Sequence, residues 1–143
     1  MDNHNSIENR QQEIINEFSL FDDWMEKYEY IIELGKDLPL IESELKTDDR
    51  LIHGCQSKVW LDCKTENGRL IFSADSDAII TKGMIGLLIR VLNNESAEDI
   101  LKADLHFIQD IGLQEHLSPT RANGLAGMVK KIKTTALSSL SEI

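Results

Sequence analysis

The chain holds two cysteines, Cys55 and Cys63, and their spacing limits the chemistry that they can share. Cys55 stands in HGCQSKVW, residues 53–60, between a glycine and a run of polar and β-prone residues. If the residues between the two thiols are extended, steps of about 3.3 Å place them roughly 26 Å apart. A disulfide joins Cα atoms about 5.5 Å apart. We therefore expect two reduced thiols rather than a redox pair.

The surroundings of the two thiols predict different reactivity. Cys55 precedes a predicted strand in a glycine-containing loop, where backbone N–H groups of Gln56 and Ser57 and the neighbouring His53 can favour the thiolate, which is the reactive form. An isolated cysteine at such a position can also be a buried packing residue, so local sequence leaves both interpretations open. Cys63 alternates with polar residues and is predicted to be a small buried side chain.

The sequence contains few of the residues that other catalytic, phosphate-binding or metal sites require. A cysteine–histidine nucleophile would pair Cys55 with His106 or His116. The chain lacks a G-x-S-x-G elbow and a phosphate-binding loop, and GMIG, 83–86, lies inside a helical pattern. A zinc site stays open, although the spacing of its candidate ligands matches no usual pattern. Those candidates are Cys55, Cys63, His53, His106 and His116.

Length and charge bound the class of protein. At 143 residues the chain has the size of one compact domain, so we expect residues 1–143 to form it, with residues 1 to about 12 loose. The net charge of −10 opposes binding to nucleic acid and to anionic membranes. No apolar run approaches the roughly 20 residues of a membrane span, and the polar N-terminus is unlike a secretory signal. These features predict a soluble, cytoplasmic protein.

Helical periodicity precedes the first cysteine. Apolar residues at helical spacing predict helices within 7–18 and 21–39. In the second helix, Gly35 suits a left-handed end and Pro39 prevents continuation. Residues 40–54 show no sustained period and predict a surface loop that leads to the first thiol.

The period changes to two after Lys58, which predicts a β-hairpin. Asn67-Gly68 favours a type I′ turn, because that turn needs positive φ at both central positions. The hairpin would bury one face, formed by Val59, Leu61, Cys63, Leu70 and Phe72. Counting back from the turn pairs Glu66 with Arg69, Thr65 with Leu70, Cys63 with Phe72 and Leu61 with Ala74.

Helices return after the hairpin. Asp75 and Asp77 offer caps for a helix over 78–92, in which Gly83 and Gly86 imply close backbone contact. Shorter helices are predicted within 96–101 and 105–112, and Ser118-Pro119 begins a long final helix. The pattern predicts an α+β fold: a small antiparallel β-sheet packed by helices on one side.

Four blocks of sequence resemble the SufE family of sulfur-acceptor proteins and follow one another in the family's order. They are WMEKYEYIIELG at 24–35, GCQSKVWL at 54–61, DSDAIITKGMIGLLI at 75–89 and HLSPTRANGL at 116–125. The likeness covers the chain from about Trp24 to Ala136. It implies a SufE/IscU-like fold, similar to that of iron–sulfur scaffold proteins, with more strands than the hairpin.

The resemblance also implies a function for Cys55. This residue would accept persulfide sulfur from a pyridoxal-phosphate-dependent cysteine desulfurase of the SufS type, stimulate that enzyme, and pass the sulfur to an iron–sulfur scaffold complex. No cofactor of its own is implied, because the pyridoxal phosphate belongs to the desulfurase. The chain would be a monomer or weak homodimer.

Further motif positions take supporting roles by the same resemblance. Arg50 and His53 depart from residues common in the family. The loop that supports the thiol is His53, Gly54, Gln56 and Ser57, and Asp75, Asp77 and Arg121 have structural or docking uses. Because a persulfide is easily lost to other thiols, we expect Cys55 to be sheltered at rest, with Gly54 as a hinge. Two alternatives stay open: an iron–sulfur or zinc scaffold, and an adaptor with inert thiols.

Overall fold

The computed structural model describes residues 6–52 and 57–141, and there it confirms the predicted α+β fold. Seven helices and a two-stranded antiparallel sheet make up this part of the chain. Turns of 3-10 helix at Ser43–Leu45 and Asp48–Arg50 precede the sheet. The elements are α1 Ser6–Phe18, α2 Trp24–Gly35, β1 Val59–Glu66, β2 Arg69–Ser76, α3 Ile79–Leu92, α4 Ala97–Lys102, α5 Phe107–Asp110, α6 Leu113–His116 and α7 Pro119–Ser141.

The hairpin forms in the predicted register. Asn67 has φ 54° and Gly68 has φ 78°, which are the positive values that a type I′ turn requires. Alternate residues of both strands face the core, because successive side chains of a strand point to opposite sides. The predicted pairs Glu66–Arg69, Thr65–Leu70, Cys63–Phe72 and Leu61–Ala74 are all confirmed.

Other segments of the chain close the outer edge of β2. The Ala74 N–H donates to the Pro39 carbonyl at 2.9 Å, and the Leu70 N–H donates to the Glu95 carbonyl at 2.9 Å. These segments make single bridges rather than strands. The expectation of further strands, which came from the family resemblance, is therefore wrong for the part of the chain that the structure describes.

Glycine allows α2 and α3 to approach closely. A Cβ atom on Gly83 would lie 2.1 Å from the Ile31 carbonyl oxygen, and one on Gly35 would lie 3.0 Å from the Gly83 nitrogen. Gly35 has no positive φ, so its predicted role as a left-handed helix end is wrong. A Cβ atom on Gly86 would meet no neighbour nearer than 3.8 Å, so the predicted close contact holds for Gly83 alone of the two.

Helix α1 is attached to the core by polar contacts as well as by apolar ones. The buried Gln11 donates through Nε2 to the Asp104 carbonyl at 3.1 Å and accepts from the Phe107 N–H at 3.0 Å. Arg10 Nη1 donates to the Val91 carbonyl at 2.9 Å. Residues 6–12 are thus helical and held by partners, which differs from the expectation of a loose segment to about residue 12.

Helix α7 is the longest helix of the described chain and packs against α4 and α3. Its start is the predicted one, since Ser118 Oγ accepts from the Arg121 N–H at 3.3 Å ahead of Pro119. None of the helices within residues 6–52 and 57–141 has the length and apolar character needed to cross a bilayer. The hydrophobic residues of α7 that are buried in the core are Leu125, Met128, Ile132 and Ala136.

Candidate functional site

The segment that contains Cys55 lies between two anchored points of the backbone. Residues 53–56 are outside the described residues, so the predictions for His53, Gly54, Cys55 and Gln56 are not tested by the structure. On the N-terminal side, the Ile52 N–H donates to the Val59 carbonyl at 2.8 Å, and a bridge joins residues 51 and 60. Residues 52 and 59, on the two sides of this segment, are therefore neighbours in space.

The C-terminal anchor is an exchange of hydrogen bonds between Lys58 and Asp77. The Lys58 N–H donates to Asp77 Oδ1 at 3.0 Å, and the Asp77 N–H donates to the Lys58 carbonyl at 3.2 Å. The sequence suggested that Asp77 caps α3, and this prediction is wrong. The residue before that helix is Ala78, which makes no side-chain cap. The carboxylate instead joins Lys58 to the end of β2. Lys58 is the last residue of the segment 53–58, which contains Cys55 and is called the thiol loop below.

Asp75 likewise has a structural position in β2. Its carboxylate lies 2.6 Å from Lys46 Nζ and 3.5 Å from Lys82 Nζ. Burial by itself raises the pKa of Asp75, but hydrogen bonds from Lys46 and the Ser76 N–H, with the charge of Lys82, together lower that pKa below its ordinary value. Asp75 therefore stays ionised, and its contacts with Lys46 and Lys82 join residue 46 and α3 to the sheet. The prediction that Asp75 caps α3 is wrong.

A small cavity of about 100 Å³ adjoins the thiol loop at Ser57. Arg121, predicted only as a motif position, lies on the same cavity, so the structure brings two of the predicted site residues together. The first turns of α3 and α7 both line this cavity, so it lies near the positive ends of two helix dipoles. With the Arg121 guanidinium, they make the cavity favourable for a negatively charged group.

The sequence did not indicate four further residues that line this cavity, two threonines and two methionines. Thr81 and Met84 contribute from α3, and Thr120 and Met128 contribute from α7. Thr81 is a buried polar residue on an otherwise apolar helix face, and that irregularity was the available sequence signal. Met84 and Met128 follow the helical period and gave no sign of a role beyond packing.

Cys63 is half-buried in β1 and packs against the core, so it is less enclosed than the sequence predicted. Burial raises the pKa of its thiol to about 11, and the neighbouring Asp62 charge acts in the same direction. Arg50 is paired with this carboxylate, because its Nε donates to Asp62 Oδ1 at 2.9 Å. The thiolate, which is the nucleophilic form, is scarce at this position near neutral pH.

The predicted histidine ligands have other partners. Both ring nitrogens of His106 face carboxylates: Nδ1 lies 2.5 Å from Asp110 Oδ2, and Nε2 lies 2.8 Å from Glu8 Oε1. The hydrogen bond with Asp110 is the main cause of the raised pKa of His106, and burial opposes it. His116 stacks on Trp24, with ring centroids 4.1 Å apart. Within the described ranges, no group of three or more histidines, cysteines or acids is arranged to hold a metal ion.

The chain is similar to known proteins over most of its length. The family model of SufE, the Fe-S metabolism associated domain, matches residues 12–136. The chain belongs to the SufE family. An uncharacterized SufE-like protein of Rhizobium meliloti is 38% identical over 129 residues, which cover 87% of this chain and 92% of the relative. A second, from Rhizobium etli, is 40% identical over 129 residues, covering 87% of each chain.

A solved structure shares the fold of this chain at low sequence identity. The solution structure of a hypothetical protein from Thermus thermophilus superposes with a TM-score of 0.76 at 20% identity, covering 92% of this chain and 96% of the other. At this identity the comparison concerns the fold alone. Membership of the SufE family connects the chain to Fe-S metabolism.

Proposed function

We propose that this SufE protein accepts persulfide sulfur on Cys55 from a pyridoxal-phosphate-dependent cysteine desulfurase, stimulates that enzyme, and delivers the sulfur to an iron–sulfur scaffold complex. The observation that carries the proposal is the family match over residues 12–136, which includes the GCQS block. In this role the chain is an activator and sulfur carrier rather than a free-standing enzyme. It works in the cytoplasm, as a monomer or weak homodimer, without a cofactor of its own.

The state of the second thiol supports the choice of Cys55. The sequence has two cysteines, and sulfur transfer requires a thiolate. With a pKa of about 11, Cys63 carries the thiolate in roughly one molecule in 3,000 at pH 7.5. Cys63 is therefore a poor acceptor, and its contact with the core suits a packing role.

The transfer step conserves atoms and electrons. The Cys55 thiolate attacks the terminal sulfur of the desulfurase persulfide, and a new sulfur–sulfur bond forms on Cys55. The sulfur–sulfur bond on the desulfurase breaks at the same time, and the desulfurase cysteine leaves as a thiolate. No external oxidant or reductant is consumed. Removal of the sulfur frees the desulfurase for its next turnover, which accounts for stimulation.

The cavity at Ser57 supports this chemistry. Two peptide links separate Cys55 from Ser57, so their Cα atoms are at most about 7 Å apart. For a Cys55 thiol that reaches this cavity, the two helix N-termini and the Arg121 guanidinium would favour a thiolate or a perthiolate over the neutral form. We infer that the thiol is sheltered on this side at rest and moves outward at the desulfurase, with Gly54 as the hinge.

Mass spectrometry of the sulfurated chain tests the proposal. After incubation with a cysteine desulfurase and L-cysteine, the peptide with residue 55 should gain the mass of one sulfur atom in the wild type and in Cys63→Ser. Cys55→Ser should gain none and should lose stimulation of the desulfurase. If the residue-55 peptide remains unmodified with an active donor, the function is wrong.

The same preparations separate the alternatives. An adaptor with inert thiols would stimulate the desulfurase equally well as Cys55→Ser. A zinc or iron–sulfur scaffold would carry near-stoichiometric metal after purification without a tag, and it would lose that metal when Cys55 or Cys63 is replaced.

A further inference from the structure

Two side chains of α2 hold the turn that leads into α7. The Trp24 ring stacks on the His116 ring, with centroids 4.1 Å apart and an angle of 18° between the planes. The Tyr28 hydroxyl donates to the His116 carbonyl oxygen. Helix α2 therefore contacts both the side chain and the backbone of His116.

The turn is shaped to accept this contact. His116 Nδ1 lies 2.9 Å from the Gly112 carbonyl oxygen, which links the two ends of α6. Gly112 has φ 76°, a conformation that glycine adopts without strain. A Cβ atom on Gly112 would lie 3.5 Å from Trp24 Cζ2, so the indole covers the glycine. Residues 112–116 and Trp24 form one packed unit.

This unit continues directly into the wall of the cavity at Ser57. After the buried Leu117, Ser118 caps α7: its hydroxyl accepts from the Arg121 N–H at 3.3 Å, and its carbonyl accepts from the Ala122 N–H at 2.9 Å. These bonds leave the backbone little freedom between His116 and Arg121. The position of the Arg121 backbone is therefore coupled to the position of His116.

We propose that Trp24 and Tyr28 are positioning residues, which hold Arg121 on the cavity wall through residues 112–118. These residues comprise α6 and its flanking residues and are called the 112–118 turn below. Arg121 is itself exposed, so its placement depends on its backbone more than on packing of its side chain. The consequence for sulfur transfer rests on the proposed function of Cys55. The positioning itself is a property of the isolated chain and can be measured without any desulfurase.

Tyrosine-to-phenylalanine changes at two positions of α2 give a matched pair for the test. Tyr28→Phe removes the hydroxyl that bonds to His116 and keeps the ring. Tyr30→Phe makes the same chemical change, but the Tyr30 hydroxyl donates to Glu17 of α1 instead. In hydrogen exchange of the isolated chain, the backbone amides of residues 117–125 other than Pro119 should exchange about threefold faster in Tyr28→Phe, because one hydrogen bond is lost. Their exchange should be unchanged in Tyr30→Phe.

A desulfurase assay adds a readout that a general loss of stability would not move. Tyr28→Phe should lower the maximal stimulated rate about threefold, with little change in the concentration of the chain that gives half-maximal stimulation. In an Arg121→Ala background, Tyr28→Phe should have no further effect, because its effect passes through Arg121.

The outcomes separate this proposal from the proposed function. Unchanged exchange of residues 117–125 in Tyr28→Phe would overturn the positioning role, as would an equal change in Tyr30→Phe. Additive losses in Tyr28→Phe and Arg121→Ala would also overturn it. If wild-type chain stimulates no desulfurase, the function fails while hydrogen exchange still decides whether α2 positions the 112–118 turn.

Discussion

Lys58 and Asp77 exchange two hydrogen bonds, at 3.0 and 3.2 Å, between the end of the thiol loop and the end of β2. One of the two bonds uses the Asp77 side chain and the other uses backbone only. The side-chain bond can therefore be removed by substitution while the backbone bond remains. This makes Asp77 a specific probe of how firmly the C-terminal end of the loop is held.

Replacement of Asp77 by alanine should loosen this end of the loop. We expect Asp77→Ala to lower the free energy of unfolding by about 1 kcal/mol, because it leaves the Lys58 N–H without its carboxylate acceptor. Asp77→Asn keeps an acceptor oxygen and should retain most of the stability. Urea unfolding and exchange of the Lys58 amide would measure both effects. Identical midpoints for the two variants would contradict the importance of the bond.

The Cys63 thiol should react slowly in the folded chain. Its pKa of about 11, compared with an ordinary value of 9.0, predicts a thiolate fraction about 100-fold lower near neutral pH. In Cys55→Ser, alkylation of Cys63 by iodoacetamide at pH 7.5 should therefore be about 100-fold slower in the folded protein than in urea. Peptide mapping over time gives both rates. Equal rates would show that burial does not suppress the thiolate.

Two glycines of α3 should respond to alanine in opposite ways. Gly83→Ala would place a Cβ 2.1 Å from the Ile31 carbonyl oxygen and should destabilise the fold by about 3 kcal/mol or more, since α2 must move away. Gly86→Ala meets nothing nearer than 3.8 Å and should stabilise the fold by about 0.5–1 kcal/mol through helix propensity. Thermal unfolding of both variants is the measurement. A tolerated Gly83→Ala would refute the close approach of the helices.

The contacts of His106 predict a dependence of stability on pH. Both ring nitrogens face carboxylates, and only the protonated imidazole can donate from both. Because the folded pKa is raised above its ordinary value of 6.5, the stabilisation is fully present below about pH 6.5 and is lost as the pH rises through the folded pKa.

A pH series of urea unfolding checks this direction. The difference in unfolding midpoint between wild type and His106→Gln should be largest in mild acid and should shrink as the pH rises. Glu8→Gln, which removes one carboxylate partner, should reduce the pH dependence without abolishing it. A difference that grows with pH would mean that His106 is neutral in the folded chain.

Local signals in the sequence were enough for the hairpin and for several helix ends. Asn67-Gly68 specified both the turn type and the register, because a two-residue turn leaves one way to align the alternating strands. Ser96 caps α4 through the Asp99 N–H, and Pro119 begins α7. Each of these features depends on residues within one or two turns of chain, so sequence spacing contains them.

Partners distant in sequence were chosen by the tertiary structure. Gly35 was predicted to end a helix with positive φ, but it serves the contact with Gly83, which depends on how closely two helices pack. Asp77 was predicted to cap a helix, but its carboxylate instead accepts a hydrogen bond from the Lys58 N–H.

The sequence by itself determined the hairpin, the helical segments and, through four motif blocks, the SufE family; it also singled out Cys55, which we propose as the sulfur acceptor. Only the tertiary structure brought Ser57 and Arg121 to one cavity and placed Trp24 and Tyr28 on the turn that precedes Arg121. The physical reason is that periodicity and capping report each residue's own backbone, whereas the meeting of distant side chains depends on how whole elements pack.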